Sequence, residues 1–362
     1  MSDAPSRQDC ACSPDQVLVD SHPTNLSLPV TAEAVPLPGR RGVSAVTGNR
    51  WVRFTLRRLG RLIVSLWVVV TAAFAIVHVV PGDPVRAAMG MTAPAASVEA
   101  RRELLGLNLP LWQQYARFIT GLFRGDLGTS IMTGLPVGRT IGYELPATAS
   151  LAIPAFLLAL IVAIPLGVGM AVVTRHGKAP RTEMGFVSTT VVAGTIPDFV
   201  YGFIFIAIFA VGLHWLPVAV RSGPSSYVLP VLALAIGPAA VLTRICRVEV
   251  LAVLSTDYVR TARAKRLPGW RIYLRHALPN AITATLTLSG MLLATMCVST
   301  VFVENVFAWP GLGQTIVSSI TNKDYPVAQA IVLVYGLAVI VVNTVVDVLL
   351  AVLDPRSTVS EA

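Results

Sequence analysis

Hydrophobic residues along this chain gather into runs too long for a soluble core and too evenly apolar for an amphipathic surface helix. The first, 62–80, is broken only by Ser65, Thr71 and His78, and as a helix it is long enough to cross the hydrocarbon of a bilayer. Further runs cover about 147–173, 186–213, 228–242, 281–302 and 327–353. The intervals between them alternate in charge. Arg53, Arg57, Arg58 and Arg61 precede the first run, Arg175, Lys178 and Arg181 follow the second, and from Arg244 to Pro279 eight Arg or Lys stand against only Glu249 and Asp257. The intervals 214–227 and 303–326 hold one basic residue each, Arg221 and Lys323. Basic intervals mark the cytoplasmic side, so the pattern predicts an all-α integral membrane protein with six transmembrane helices and both termini inside.

Irregularities within the runs single out particular residues. Pro154 and Pro165 predict kinks relieved by neighbouring helices. At Gly194-Thr195-Ile196-Pro197-Asp198 the third run is interrupted, either to line a cavity or as a proline kink, which makes Asp198 a pathway candidate. Asn343 and Asp347 lie four apart on one face of the last run and are pathway candidates by the same logic, with an ion pair to a basic loop residue as the other reading of Asp347. His78 reads as a satisfied interfacial residue. The fifth run, dense in Thr, Ser, Gly and Ala, reads as bundle interior.

Composition agrees: 54% hydrophobic, 13% charged and a mean hydropathy of +0.69 exclude an ordinary soluble domain. The net charge of +9 raises nucleic acid as a partner, but membrane topology already accounts for the basic residues, and no nucleic-acid partner is indicated. Residues 1–50, rich in Pro and Ser without helical or strand period, have the composition of a disordered tail and lack a signal-peptide core. Cys10 and Cys12 have no second pair and Cys246 and Cys297 lie in or beside apolar runs, so neither a disulfide framework nor a zinc site is expected. There is no G-x-x-x-x-G-K-[ST] sequence, no H-E-x-x-H and no Ser/His/Asp set, so no catalytic, cofactor or metal residues are assigned. Active transport would draw on a separate ATPase or on an ion gradient.

The basic interval 244–279 organises the rest. Ser255, Thr256 and Asp257 can cap a helix, an Ala- and Arg-rich middle follows, and Pro268-Gly269 stops it. Tyr258, Thr261, Ala262 and Lys265 share one helical face whose small residues would let another surface approach. Here the chain resembles the membrane subunits of binding-protein-dependent ABC importers, in the dipeptide, oligopeptide and nickel branch. Arg260-Thr261-Ala262 sits where that family has Glu-Ala-Ala, Leu278-Pro279 closes the motif, and Arg266 stands at the motif glycine, with Pro268-Gly269 expected to supply a displaced turn. Leu107 to Tyr115, Gly125 to Ser130, Glu144 to Thr148, Val303 to Gly313 and Asp324 to Val327 extend the resemblance over nearly all of 52–356.

The resemblance implies the type I importer transmembrane fold: a tail (1–50), a first helix (51–80), an external lid (81–146), a five-helix transmembrane domain (147–353) and a short tail (354–362). It implies an ATPase-docking loop made by Asp257, Tyr258, Arg260, Thr261, Ala262, Arg263, Ala264, Lys265 and Arg266. It implies a loop facing the binding protein, with Glu304, Phe307, Trp309, Pro310, Gly311 and Gly313; a membrane-interface anchor is the other reading of Trp309. The expected partners are a second homologous permease, two ABC ATPase subunits carrying ATP and magnesium, an extracytoplasmic substrate-binding protein and the lipid bilayer of the cell membrane. The implied function is ATP-driven import of peptides or related solutes by alternating access. An ion-coupled secondary transporter is the alternative, disfavoured because few charged residues occur within the spans. A membrane-embedded hydrolase would need a nucleophile and base that the chain does not assemble.

Overall fold

A computed structural model describes residues 47–79, 83–90, 92–218 and 223–353. The tail expectations for 1–46 and 354–362, with Cys10 and Cys12, lie outside these residues, as do the side chains of His78 and Asp347. In chain order the helices are α1 (Thr47–Val79), α2 (Pro84–Met89), α3 (Ala95–Leu105), α4 (Leu111–Phe123), α5 (Val137–Thr174), α6 (Pro180–Thr195) and α7 (Asp198–Phe205). There follow α8 (Val228–Leu254), α9 (Asp257–Ala264), α10 (Gly269–Arg271), α11 (Leu278–Val306), α12 (Leu312–Thr321) and α13 (Tyr325–Leu353). Four stretches, Val137–Thr174, Pro224–Leu254, Gly269–Val306 and Tyr325–Val346, are long and apolar enough to cross a membrane. The third run becomes two helical segments, Pro180–Thr195 and Asp198–Gly212, bent by 93°, and α1 carries a shorter apolar stretch, Leu59–Ala75.

Small residues at a spacing of four build the centre. On α5 the buried positions include Ala147, Leu151, Ala155, Ala159, Ala163, Gly167 and Ala171, one stripe of a helix that meets α8 along its length. Contact is close enough that a Cβ at Gly167 would lie 2.7 Å from Cys246 Cβ and 2.8 Å from the Thr243 carbonyl oxygen. The most buried span is α8, with two-thirds (67%) of the residues in its apolar stretch buried, against one-third (33%) for the span that holds α11. The small residues of α11 do face other helices, since Ala281, Thr285, Ser289, Gly290 and Ala294 are buried, but its opposite flank exposes Leu288, Met291, Val298 and Phe302. Composition showed that α11 packs closely without showing that it does so on one side only.

The polar interval 244–279 is also more helical than expected. α8 runs on to Leu254, so Arg244 and Arg247 sit inside it, and a π-helical turn, Ile272–Ala277, joins α10 directly to α11. At the other end α2, α3 and α4 make up the segment read as a lid. Asp83 caps α2 through the Val85 amide (3.1 Å) and pairs with Arg102 at 2.5 Å. Burial works to raise the Asp83 carboxyl, but the Arg102 guanidinium and two backbone amides outweigh it and hold the carboxyl below the usual range. The pair's contribution is thus present above the ordinary carboxylate pKa and lost as pH falls through the lowered one. α4 lies on α1, with Tyr115 packed edge-on to Phe74 (5.2 Å) and its hydroxyl 2.8 Å from that of Thr71.

Candidate functional site

The basic loop is a short helix standing on a buried floor. The hydroxyls of Ser255 and Thr256 donate back to the carbonyls of Ala252 (2.7 Å) and Val253 (2.6 Å), closing the end of α8, so α9 begins without a side-chain cap. Asp257 in its first turn complements the helix dipole, and its ion pair with Arg260 (3.2 Å) is too exposed, 94% and 74%, to add much. At the other end the Leu267 amide donates to Ala262 (3.4 Å) and the Arg266 amide to Arg263 (2.9 Å), the paired bonds of a Schellman turn. Arg266 itself takes the left-handed conformation, φ 53°. The turn is therefore made in place, at the motif-glycine position, and Gly269 opens α10 instead of supplying a displaced turn. A non-glycine residue there costs about 1 kcal/mol of backbone strain, so Arg266→Gly is expected to raise the midpoint of thermal unfolding slightly. A lowered midpoint would mean that the side chain contributes more than the strain costs.

Val259 and Ala262 are the buried positions of α9, packed with Ala171, Cys246, Val250, Leu254, Ile272, Ala277 and Ala281. Ala262, expected on a shared outer face with Tyr258, Thr261 and Lys265, is instead part of this floor, because the two residues that anchor α9 must lie one turn apart on its inner side. Asp257, Tyr258, Arg260, Thr261, Ala264, Lys265 and Arg266 remain outside; Arg263 is half-buried, and its Nη2 has no hydrogen-bond partner among the described residues. Asn280 Nδ2 donates to the Tyr258 hydroxyl (3.0 Å), tying α9 to the start of α11. Nearby, buried Arg247 of α8 donates to Thr174 of α5 (Nε, 3.0 Å) and Glu183 of α6 (Nη2, 2.5 Å), and Arg175 donates to the Tyr273 hydroxyl (3.0 Å). In the sequence Arg247 is one of the basic residues of the interval 244–279, and its partners, 73 and 64 residues away, leave no local signal.

The interruption at 194–198 is a full break rather than a mild kink. Pro197 precedes α7, and the Tyr201 hydroxyl donates to the Ala193 carbonyl (2.8 Å), satisfying an acceptor left free at the end of α6. Asp198, half-buried at the start of α7, hydrogen-bonds Ser299 of α11, and a Cβ at Gly237 of α8 would lie 3.1 Å from its Oδ1. Beside the break a groove of about 610 Å³ runs between α5, α6 and α8, lined by residues including Leu166, Phe186, Thr189, Ala193, Ile236 and Thr243. Asn343 is exposed on α13, and Asp347 lies one turn further along the same helix.

At the opposite end most residues expected to face the binding protein turn inward. Among Glu304, Phe307, Trp309, Pro310, Gly311 and Gly313, only Pro310 is exposed. Trp309 is 1% exposed; its indole N–H donates to the Ala147 carbonyl (3.2 Å) and its ring meets Tyr227 edge-on at 4.6 Å, so it is neither a docking residue in this conformation nor a membrane-interface anchor. The Glu304 carboxylate takes the amides of Gly313 (2.6 Å) and Gln314 (3.3 Å), capping α12 from a distance. Both glycines are needed for close approach: a Cβ at Gly311 would lie 2.6 Å from Glu304 Oε2, and one at Gly313 2.5 Å from Val301 Cα. The Thr148 hydroxyl accepts from the Leu312 amide (2.9 Å), and Asp324 accepts from the Ser130 hydroxyl and the Ile131 amide (3.1 Å). Strings that looked like separate turns in the sequence thus hold one another across more than 160 residues.

Comparison with known proteins gives consistent results. Residues 51–152 match the amino-terminal family described as "Binding-prot-dependent transport system membrane comp, N-term", and residues 163–359 match "Binding-protein-dependent transport system inner membrane component". The chain is 38% identical over 305 residues to the glutathione transport system permease protein GsiC of Pectobacterium atrosepticum, covering 84% of this chain and 98% of that one. It is 37% identical to the protein of the same name from Escherichia coli K12, with the same coverage. A solved structure of the MetNI methionine ABC transporter, in inward-facing conformations, aligns with a TM-score of 0.51 over 59% of this chain and 95% of the other, at 16% identity, a likeness of fold.

Proposed function

This chain belongs to the inner membrane components of binding-protein-dependent transport systems, as the permease subunit of an ABC importer, and from that premise we propose how its parts divide the work. Permeases of this kind work with an ATPase and a substrate-binding protein in the inner membrane, and membership sets aside the ion-coupled alternative. In our reading the chain supplies half of the pathway and a second, homologous permease supplies the other half. Six spans leave both termini cytoplasmic, as the basic intervals require. Two ATPase subunits bind ATP and magnesium and hydrolyse the nucleotide. The cargo in this reading is a peptide or a glutathione-like solute, the two similar proteins being named for glutathione transport.

One observation carries the mechanism: α9 presents a basic, exposed outer face while Val259 and Ala262 fix its inner face to the ends of α5, α8 and α11. A rigid base turns displacement of that face into displacement of the bundle helices, which is what alternating access needs from a partner's stroke. Asp257, Tyr258, Arg260, Thr261, Ala264, Lys265 and Arg266 form the contact face in this reading. Outside, exposed Ala308 and Pro310 are the parts of the α11–α12 loop free to meet a binding protein. Asp198, half-buried at the break between α6 and α7, is the pathway residue favoured over exposed Asn343.

The test is transport in sealed vesicles containing both permeases, the ATPases and the binding protein, with membrane potential and ion gradients clamped at zero. With ATP and magnesium supplied, uptake of a short peptide or glutathione should persist, and it should stop when the phosphate-holding lysine of the ATPase is replaced. Uptake that followed an imposed ion gradient and ignored ATP would overturn the division of labour.

A further inference from the structure

Helix α4, in the segment expected to be an external lid, has an apolar face wider than the surface that covers it. Phe118, Ile119 and Leu122 pack with Val70 and Ala73 of α1 and Leu333 of α13, and Tyr115 meets Phe74 and Thr71 of α1. Trp112, Ala116 and Phe123 continue the apolar face at helical spacing but lie uncovered, with Trp112 69% and Phe123 88% exposed. The next row round the helix, Gln113, Arg117, Thr120 and Arg124, is polar, and residues 111–124 contain two arginines and no acid.

Depth decides what meets the uncovered flank. Val70, Thr71, Ala73 and Phe74 belong to the apolar run 62–80 and Leu333 to the run 327–353, so α4 is fixed against the spans within their apolar length and not beyond their ends. One and two turns back along the α1 face that carries Thr71, Trp67 and Val64 are both exposed, and an uncovered apolar face of a span is a face toward lipid. We propose that α4 is an interfacial helix lying across this lipid side of α1. Trp112, Ala116 and Phe123 rest at the edge of the acyl chains of the outer leaflet, while Gln113, Arg117, Thr120 and Arg124 face the headgroups, where the two cations meet phosphate. An aromatic-bearing apolar flank beside a basic polar one suits that boundary. A binding protein or a second permease fits less well, because it would have to reach a flank set at the depth of the apolar run, on the side where α1 already faces lipid. The expected lid is then moored to the bilayer through α4 instead of standing free of it. This inference rests on the reading of residues 62–80 as the first span.

The experiment uses the complete importer, both permeases with the ATPases and the binding protein, in vesicles of phosphatidylethanolamine and phosphatidylglycerol. The photoreactive residue p-benzoylphenylalanine replaces Trp112, Phe123, Arg117 or Val64 in turn; all four side chains are exposed, so the replacements leave the packing of α1 and α4 in place. After irradiation, the mass of the permease identifies lipid adducts, and its mobility on a denaturing gel identifies crosslinks to protein. Lipid adducts are expected from positions 112 and 123 at the level seen from 64, and should be lost at 117. Crosslinks from 112 and 123 to the binding protein or the second permease in place of lipid, with lipid adducts kept at 64, would overturn the proposal and make the flank a protein-docking surface. Adducts of neither kind at 112 and 123 would place the flank in water and overturn it too, and lipid adducts equally abundant at 117 would overturn the interfacial orientation. Lipid adducts missing at 64 as well would overturn the reading of the first span, and the inference with it.

Discussion

Trp309→Ala is expected to lower the stability of the permease by about 3–5 kcal/mol, leaving little folded protein whose affinity for a binding protein could be measured. The size follows from burial: the indole is 1% exposed in the cluster that includes Leu151, Tyr201, Leu229 and Phe307, and it is edge-on to Tyr227. Trp309→Phe separates the ring from the N–H. It keeps most of the apolar body and gives up one hydrogen bond, to a carbonyl that also accepts from the Ser150 hydroxyl at 2.6 Å, so the loss should be nearer 1 kcal/mol. Thermal unfolding checks both numbers. If Trp309→Ala instead kept the native midpoint and lost only binding-protein affinity, the residue would be a docking contact that reaches the surface in another conformation.

That expectation inverts the reading a sequence invites. An aromatic residue followed by Pro-Gly in an outer loop looks like an exposed tip, because turn chemistry is local and visible while the surface that receives the loop is not. Glu304 shows the same limit: the sequence marks it as a motif residue, but only the arrival of Gly313 and Gln314 shows that it caps α12. Long-range pairs such as Ser130 with Asp324 and Arg247 with Glu183 left no local trace. The apolar runs were legible because bilayer thickness imposes its length on each segment independently. All six expected runs reappear as helices or a broken helical pair, five of them long and apolar enough to cross a membrane and the first as the shorter apolar stretch of α1, with ends extended where helices continue past the apolar zone, as α5 and α8 do. The break at Pro197 was visible, while its 93° bend depends on how α7 packs against α8 and α11.

The basic loop carries the other large effect, and its inner and outer alanines separate docking from folding. Ala264→Glu places a carboxylate on the exposed side of α9, where the chain loses no packing, so the unfolding midpoint should stay within about 0.5 kcal/mol of native. The same change reverses the charge character of a face dominated by Arg260, Lys265 and Arg266 and adds bulk where a partner must approach. Co-purification of the ATPase and ATP-driven uptake should fall at least tenfold, about 1.4 kcal/mol or more of lost association. Ala262→Glu is the contrast. Ala262 is 7% exposed on the floor shared with Val259, Cys246 and Ile272, so a carboxylate there must be desolvated without a partner or must push α9 off its base. That variant should lose stability as well as coupling, and lowering pH to neutralise the new acid should recover part of the stability. Equal behaviour of the two variants, both stable and both uncoupled or both unfolded, would show that α9 does not have the two faces assigned to it and would remove the physical basis for treating this loop as the lever between the ATPase and the pathway.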